Sequence, residues 1–308
     1  MKAIILERNK MVNRRLVRHL TCAGFETRGI EDPAQLEDEL ADAKLIAADT
    51  FDAHVIEKAV LDKPGLRGLL FTAEPMRRSL RFARENRTIS NIFGRPDFES
   101  APRRWELMMV LRRLLRPEEG PPPFAAYLHW GFRGFQQRVS TTHERDEVVS
   151  RIEACINGLG VPKRVGEMLH ELGHELLMNA MFDAPVDEAG KAKYAMDRKA
   201  ALTLDEGEQP TLRFGTDGSR VAVQVSDPFG RLERRHVFEG LARGLEEGEM
   251  DRSHGGAGLG MALCHNASSA LFFDVLRGVK TVVTGIFDLD LNLREFRTQA
   301  KSLHFFDL

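Results

Sequence analysis

The chain has 308 residues, 43% of them hydrophobic, with 46 acidic and 44 basic side chains and a net charge of -2. That length can bury two cores, and the interspersed signs leave no basic footprint for nucleic acid or an anionic membrane. Cys22, Cys155 and Cys264 are odd in number and widely spaced, which argues against a disulfide framework and for a reducing compartment. With no leader-like start and no apolar run near the ~20 residues of a membrane span, a cytoplasmic protein without membrane insertion is expected.

Lys2-Ala-Ile-Ile-Leu6 is a short apolar run ending at Glu7, followed by a helical pattern through Leu16, Val17 and Leu20 that stops near Gly24. Strand-then-helix alternation recurs at 44–49, 68–72 and 89–93, before a helix over about 103–115. This predicts a parallel sheet wrapped by helices. Over about residues 1–117 it resembles the receiver domain of two-component response regulators, a flavodoxin-like fold. The resemblance implies Asp49 as the phosphoacceptor, Thr72 as the switch hydroxyl, and Arg95-Pro96 where Lys-Pro is usual. Receiver chemistry needs Mg2+ beside the aspartate, held by an acidic pair after the first strand, and here that pair reads Glu7-Arg8. A guanidinium at position 8 would fill the metal's space and pair with Asp49. The domain is therefore expected to be a pseudo-receiver, a surface for docking a protein partner or for homodimerisation.

Arg116-Pro-Glu-Glu-Gly-Pro-Pro-Pro-Phe124 places three prolines after a glycine and predicts a semi-rigid linker, set at 118–140. The dense aromatics Tyr127, Trp130, Phe132 and Phe135 are read as packing between domains, with a partner groove as the alternative. His143-Glu144 has the look of a phosphoaccepting histidine, but only 146–157 is available as a helix before Gly158 and Gly160, too little for a dimerisation hairpin.

In Glu175-Leu-Leu-Met-Asn179-Ala180, the carboxylate and the amide lie one helical turn apart on one face. That pair can hold hydrated Mg2+ through the Asn179 oxygen while Glu175 orients or deprotonates an attacking group. A hairpin signal through Asp217-Gly218 leads to Asp227 at a strand end, where a buried carboxylate can accept the exocyclic amine of adenine. Glycines 255, 256, 258 and 260 let backbone N–H groups approach phosphates, and 259–270 reads as a helix whose N-terminus favours anions.

Taken in order, Glu175 to Ala180, Val225-Ser-Asp227-Pro-Phe-Gly230 and Gly256-Ala-Gly258-Leu-Gly260-Met261 resemble the N, G1 and G2 boxes of the GHKL ATPase superfamily, over roughly residues 140–290. That superfamily includes histidine kinases, gyrase-type ATPases and anti-sigma-factor serine kinases. The resemblance implies a Bergerat-type α/β sandwich with a mixed sheet over 141–308, with ATP and Mg2+ as cofactors. Glu175 would then be catalytic and Asn179 the Mg2+ ligand. Asp227, Gly230, Gly256, Gly258 and Gly260 would surround the nucleotide, with Thr281 as a strand hydroxyl beside it. The G1 box departs from the family's Asp-x-Gly-x-Gly, since Pro228, Phe229, Gly230 and Arg231 follow Asp227 and one displaced glycine survives. The charged stretch between Gly230 and Gly256 is expected as a solvated loop, with Arg252 or His254 in reach of a terminal phosphate. A helix, then Gly158-Leu-Gly-Val-Pro162, then the N-box helix is similar to the anti-sigma-factor kinase group, which implies a serine kinase acting in trans on a protein partner. An ATP-gated interaction switch is the alternative.

His170-Glu171-Leu-Gly-His174 supports a more distant alternative, a zinc metalloprotease with two imidazoles one turn apart and a glutamate that activates water. Asp183 or Glu188 would have to be its third ligand, and the later boxes would have no role in it. The final run, 303–308, is read as closing a core ahead of a docking tail.

Overall fold

The computed structural model describes residues 1–187, 189–247 and 259–308. The chain divides into two compact units, Met1–Gly120 with Thr298–Phe305, and Pro121–Arg297 with Phe306–Leu308. It is an α/β protein of mixed strand pairing, with eleven strands and ten α-helices among the described residues.

The first unit alternates β1 (Lys2–Leu6), α1 (Lys10–Ala23), β2 (Glu26–Ile30), α2 (Leu36–Glu39), β3 (Ala43–Asp49), α3 (Ala53–Asp62), β4 (Arg67–Thr72), α4 (Met76–Glu85), β5 (Ile89–Gly94) and α5 (Arg104–Leu115). These five strands are parallel in the order β2-β1-β3-β4-β5. Helices cover such sheets on both faces, so inner strands become continuous apolar runs, and Ala3 to Leu6, Leu45 to Ala48 and Leu69 to Phe71 are all buried. α1 begins where the Asn9 side chain accepts from the N–H groups of Met11 and Val12. The strand order reverses between β1 and β3, and in such sheets the carboxyl ends at that point frame a binding crevice. Glu7 and Arg8 follow the end of β1, Asp49 ends β3, and Asp52 lies in the turn after it.

The second unit runs β6 (Arg133–Arg138), α6 (Thr142–Asn157), α7 (Lys163–Met178), β7 (Thr211–Thr216), β8 (Arg220–Asp227), α8 (Arg234–Glu247), α9 (Leu259–Asn266), β9 (Ala270–Leu276), β10 (Lys280–Asp288) and α10 (Leu293–Thr298). Its strands are antiparallel in the order β9-β10-β8-β7-β6. α6 packs on α7, and α7 lies over the sheet, with Leu172 against Gly285 of β10.

Several expectations change here. The stretch expected as a linker over 118–140 contributes β6, and its aromatics pack inside the second unit: Tyr127 on Phe272 with ring centroids 5.4 Å apart, Phe124 on Phe132 at 5.9 Å, and Phe135 on Phe214 at 5.2 Å. Trp130 is fully exposed. Within the charged run between Gly230 and Gly256, expected as loop, Arg234–Glu247 form α8, because Val237, Phe238, Leu241 and Ala242 recur on one face and are buried, and the rest from 248 on lies outside the described residues. The helix expected over 259–270 stops at Asn266. The Ser268 hydroxyl donates to the Cys264 carbonyl at 2.8 Å and the Ser269 N–H to the Ile286 carbonyl at 2.6 Å, which turns the chain into β9.

The last strand, β11 (Ser302–Asp307), pairs antiparallel with β5, Leu303 opposite Ile92 and His304 opposite Asn91. Residues Thr298–Phe305, placed by the sequence in the second domain, therefore belong to the first unit. His304 Nε2 lies 2.9 Å from Glu106 Oε1 with both side chains at 0% exposure, and Arg103 Nη1 is 3.1 Å from the other Glu106 oxygen.

Candidate functional site

α7 buries Leu169, Leu172, Leu176 and Leu177, which leaves Glu175 and Asn179 half-buried beside them. Its path does not stop at Met178. Asn179–Asp183 continue as one π-helical turn in which the Ala184 N–H donates to the Asn179 carbonyl at 3.0 Å. Such wide turns shift a side chain off the helical register and recur at functional sites. The turn packs against β8, and α9 packs against α7.

Glu175 meets the first turn of α9. Gly260 has no side chain, and a Cβ there would collide with Glu175 Oε2. The carboxylate's field, after burial, also pushes the Cys264 thiol up. Asn179 Oδ1, the oxygen expected to hold Mg2+, accepts from Arg198 Nη2 at 3.1 Å, and the same nitrogen is 3.6 Å from Asp183 Oδ2. Burial holds the Asp183 carboxyl above its ordinary range, Arg198 opposes that, and Glu175 adds to it. Sequence reasoning gave Arg198 no role, because it lies in a charged stretch without periodicity and its partners are identified only by the fold.

Asp227 ends β8 directly opposite Thr281 of β10, and both are buried. Its Oδ1 accepts from the Phe229 N–H at 3.0 Å, and the Thr281 hydroxyl and the Gly230 N–H also donate to the carboxylate. Burial nevertheless pushes its carboxyl up. Gly230 has φ +63 and packs on the turn between β9 and β10, where a Cβ would collide with the Leu276 carbonyl and where its own carbonyl accepts from the Gly278 N–H at 3.3 Å. This gives Gly230 a backbone reason of its own, apart from any ligand. Gly256 and Gly258, with Gly255, Arg252, His254 and Glu188, lie outside the described residues.

The histidines of the HExxH segment face carboxylates. His170 Nδ1 is 3.2 Å from Glu153 and His174 Nδ1 is 3.8 Å from Glu175, while Glu171 lies 3.5 Å from Arg164. Among the described residues no group of three or more His, Cys, Asp or Glu side chains is placed to hold a metal ion, and Asp183 is paired with Arg198.

A second charged cluster lies at the carboxyl ends of the first unit's strands. Arg95, 2% exposed, places Nη1 2.8 Å from Glu7 and Nη2 2.7 Å from Asp49. Asp49 Oδ1 accepts from the Phe51 N–H at 2.8 Å, so both its oxygens are engaged. Burial pushes the Asp49 carboxyl up against the Phe51 N–H and Arg95. The expected pairing of Arg8 with Asp49 is corrected: Arg8 is bidentate on Asp52, at 2.6 and 3.0 Å. The reason is steric order. Arg95 leaves the end of β5 and fills the interior between Glu7 and Asp49, whereas Arg8 reaches the turn after β3 from the surface. Thr72 is completely buried and its hydroxyl accepts from the Glu74 N–H at 3.0 Å.

Compared with known proteins, the chain matches no family model and no curated protein. Among the described residues no helix is long and apolar enough to cross a membrane.

Proposed function

We propose that the second unit is a GHKL-type ATP-binding module that works as a nucleotide-gated protein-interaction switch, and that the first unit is a pseudo-receiver that docks a protein partner or a second copy. The observation that carries the reading is the meeting of Glu175 with Gly260 at the start of α9, with Asn179 on the same helix edge. Asp227, buried against Thr281, is the acceptor for the adenine amine, and the start of α9 is the anion-favouring end for phosphates. Free thiols at Cys22, Cys155 and Cys264 suit a cytoplasmic setting.

Phosphoryl transfer to a partner serine requires a divalent cation bridging the phosphates. The Asn179 oxygen already accepts from a guanidinium, so the residues as placed do not fit Mg2+ there. That observation favours the switch over the kinase. In the first unit, Arg95 on both Glu7 and Asp49 supports a domain that keeps its shape without phosphorylation.

Calorimetric titration with ATP, ADP and GTP tests the reading. Adenine nucleotides are expected to bind, GTP is not, and Asp227→Asn should erase the preference. Absence of binding by any nucleotide would discard it.

A further inference from the structure

The reading above leaves the positive charge beside the phosphates unassigned. We propose that Arg198 supplies it in place of a divalent cation, so that the phosphate chain of the nucleotide is held by a guanidinium and binding needs no metal. This rests on the nucleotide reading of the second unit and adds to it the cation that the site uses.

Four observations converge. Arg198 Nη2 donates to Asn179 Oδ1 at 3.1 Å, the amide oxygen a metal would need. The same nitrogen is 3.6 Å from Asp183, so the head is anchored by a neutral and an anionic acceptor on one π-helical turn. Nε of Arg198 is buried without a hydrogen-bond partner, which leaves a donor unused. The side chain is 35% exposed, so an anion has access to part of it without reaching the buried Nε. A guanidinium is a rigid fork whose parallel N–H groups match phosphate oxygens, and it stays charged at any relevant pH. A divalent ion on the same amide oxygen would sit against this fixed positive head and be repelled.

The test is ATP and adenosine binding by wild type, Arg198→Ala and Arg198→Lys, each in MgCl2 and in excess EDTA, with thermal unfolding to check that the variants fold. Wild type is expected to bind ATP with the same affinity in both buffers. Arg198→Ala should lose about tenfold or more in EDTA, the scale of a charge-assisted hydrogen-bond pair, and recover part of it in MgCl2 because Asn179 is freed. Arg198→Lys, with charge but no fork, should fall between them, and adenosine binding should not change. Wild-type binding that requires Mg2+, with Arg198→Ala equal or tighter, would overturn the proposal and make Arg198 a plug displaced by the ligand, with the nucleotide reading intact. Failure of every form to bind ATP or adenosine in either buffer would overturn both.

Discussion

A single guanidinium decides the character of the first unit. Arg95 neutralises two carboxylates that the chain buries at the ends of β1 and β3, and an unpaired buried charge is costly. Arg95→Met is expected to lower stability by about 3–5 kcal/mol at neutral pH, read as a shift in the urea midpoint. The loss should shrink in acid as Asp49, whose carboxyl burial pushes up, takes up its proton; a change within experimental error at pH 7 would mean that the pair is not held as described. Asp227 carries the opposite signature. Its carboxyl is pushed up by burial, so the native state binds its proton more tightly than the unfolded chain. The associated stability is complete below the unfolded value of ~3.9 and is lost as pH rises through the folded value. Asp227→Asn keeps an acceptor for Phe229 and removes the buried charge, but takes an acceptor oxygen from the Gly230 N–H and the Thr281 hydroxyl, so its stability relative to wild type should rise from about pH 3 to pH 7 whatever its absolute offset. Denaturant midpoints across that range check the sign. A gain in stability that accompanies a loss of adenine selectivity would mark a functional residue.

At the scale of elements, the two glycines of the site behave differently. Gly260 lies inside α9 without a positive φ, so alanine there is favoured by helix propensity but must push the flexible Glu175 carboxylate aside. Gly260→Ala is expected to keep stability within about 1 kcal/mol and to change nucleotide affinity. Gly230→Ala meets both a left-handed backbone and a fixed carbonyl, and should cost about 2 kcal/mol or more. Comparing thermal midpoints with ATP titrations for the pair separates a site glycine from a turn glycine. Which elements could be read from sequence follows from burial. β1, β3 and β4 are legible because burial on two faces makes each largely a run of apolar residues, and β5, with Ser90 and Asn91, through its place in the strand-then-helix alternation. β2, with Glu26, Thr27 and Arg28, and β6, with Arg133, Gln136, Gln137 and Arg138, carry the polar residues of edge strands and look like loop. β9 is apolar except for Asp274, and a short, mainly apolar run cannot be told from a helix end by periodicity. Of the candidate site, Glu175, Asn179 and Asp227 are singled out by their spacing and order, and Thr281 through the family resemblance alone. The Arg198 contact spans 19 positions without a pattern and needs the fold.

At the scale of the whole chain, the return of β11 to the first unit ties its stability to residues nearly 200 positions away in sequence, through His304 and Glu106. Burial lowers the pKa of the imidazole despite the neighbouring carboxylate. Burial alone would raise Glu106, but the hydrogen bond from His304 and the charge of Arg103 bring it below its ordinary value. The neutral ring therefore donates from Nε2 to an ionised glutamate. Because the folded histidine binds its proton more weakly than the unfolded one, its contribution is complete above an unfolded pKa of ~6.5 and is lost as pH falls through the lower folded value. Glu106 adds a second, more acidic window, complete above ~4.3 and lost below it. His304→Gln preserves an N–H donor toward Glu106 and removes the titration. Urea unfolding followed from pH 8 to pH 5 should show wild type losing stability across that range and the variant losing less. Parallel profiles would mean that His304 is not the group that titrates. The other histidines are common to both proteins, so the difference between the two curves isolates the buried pair.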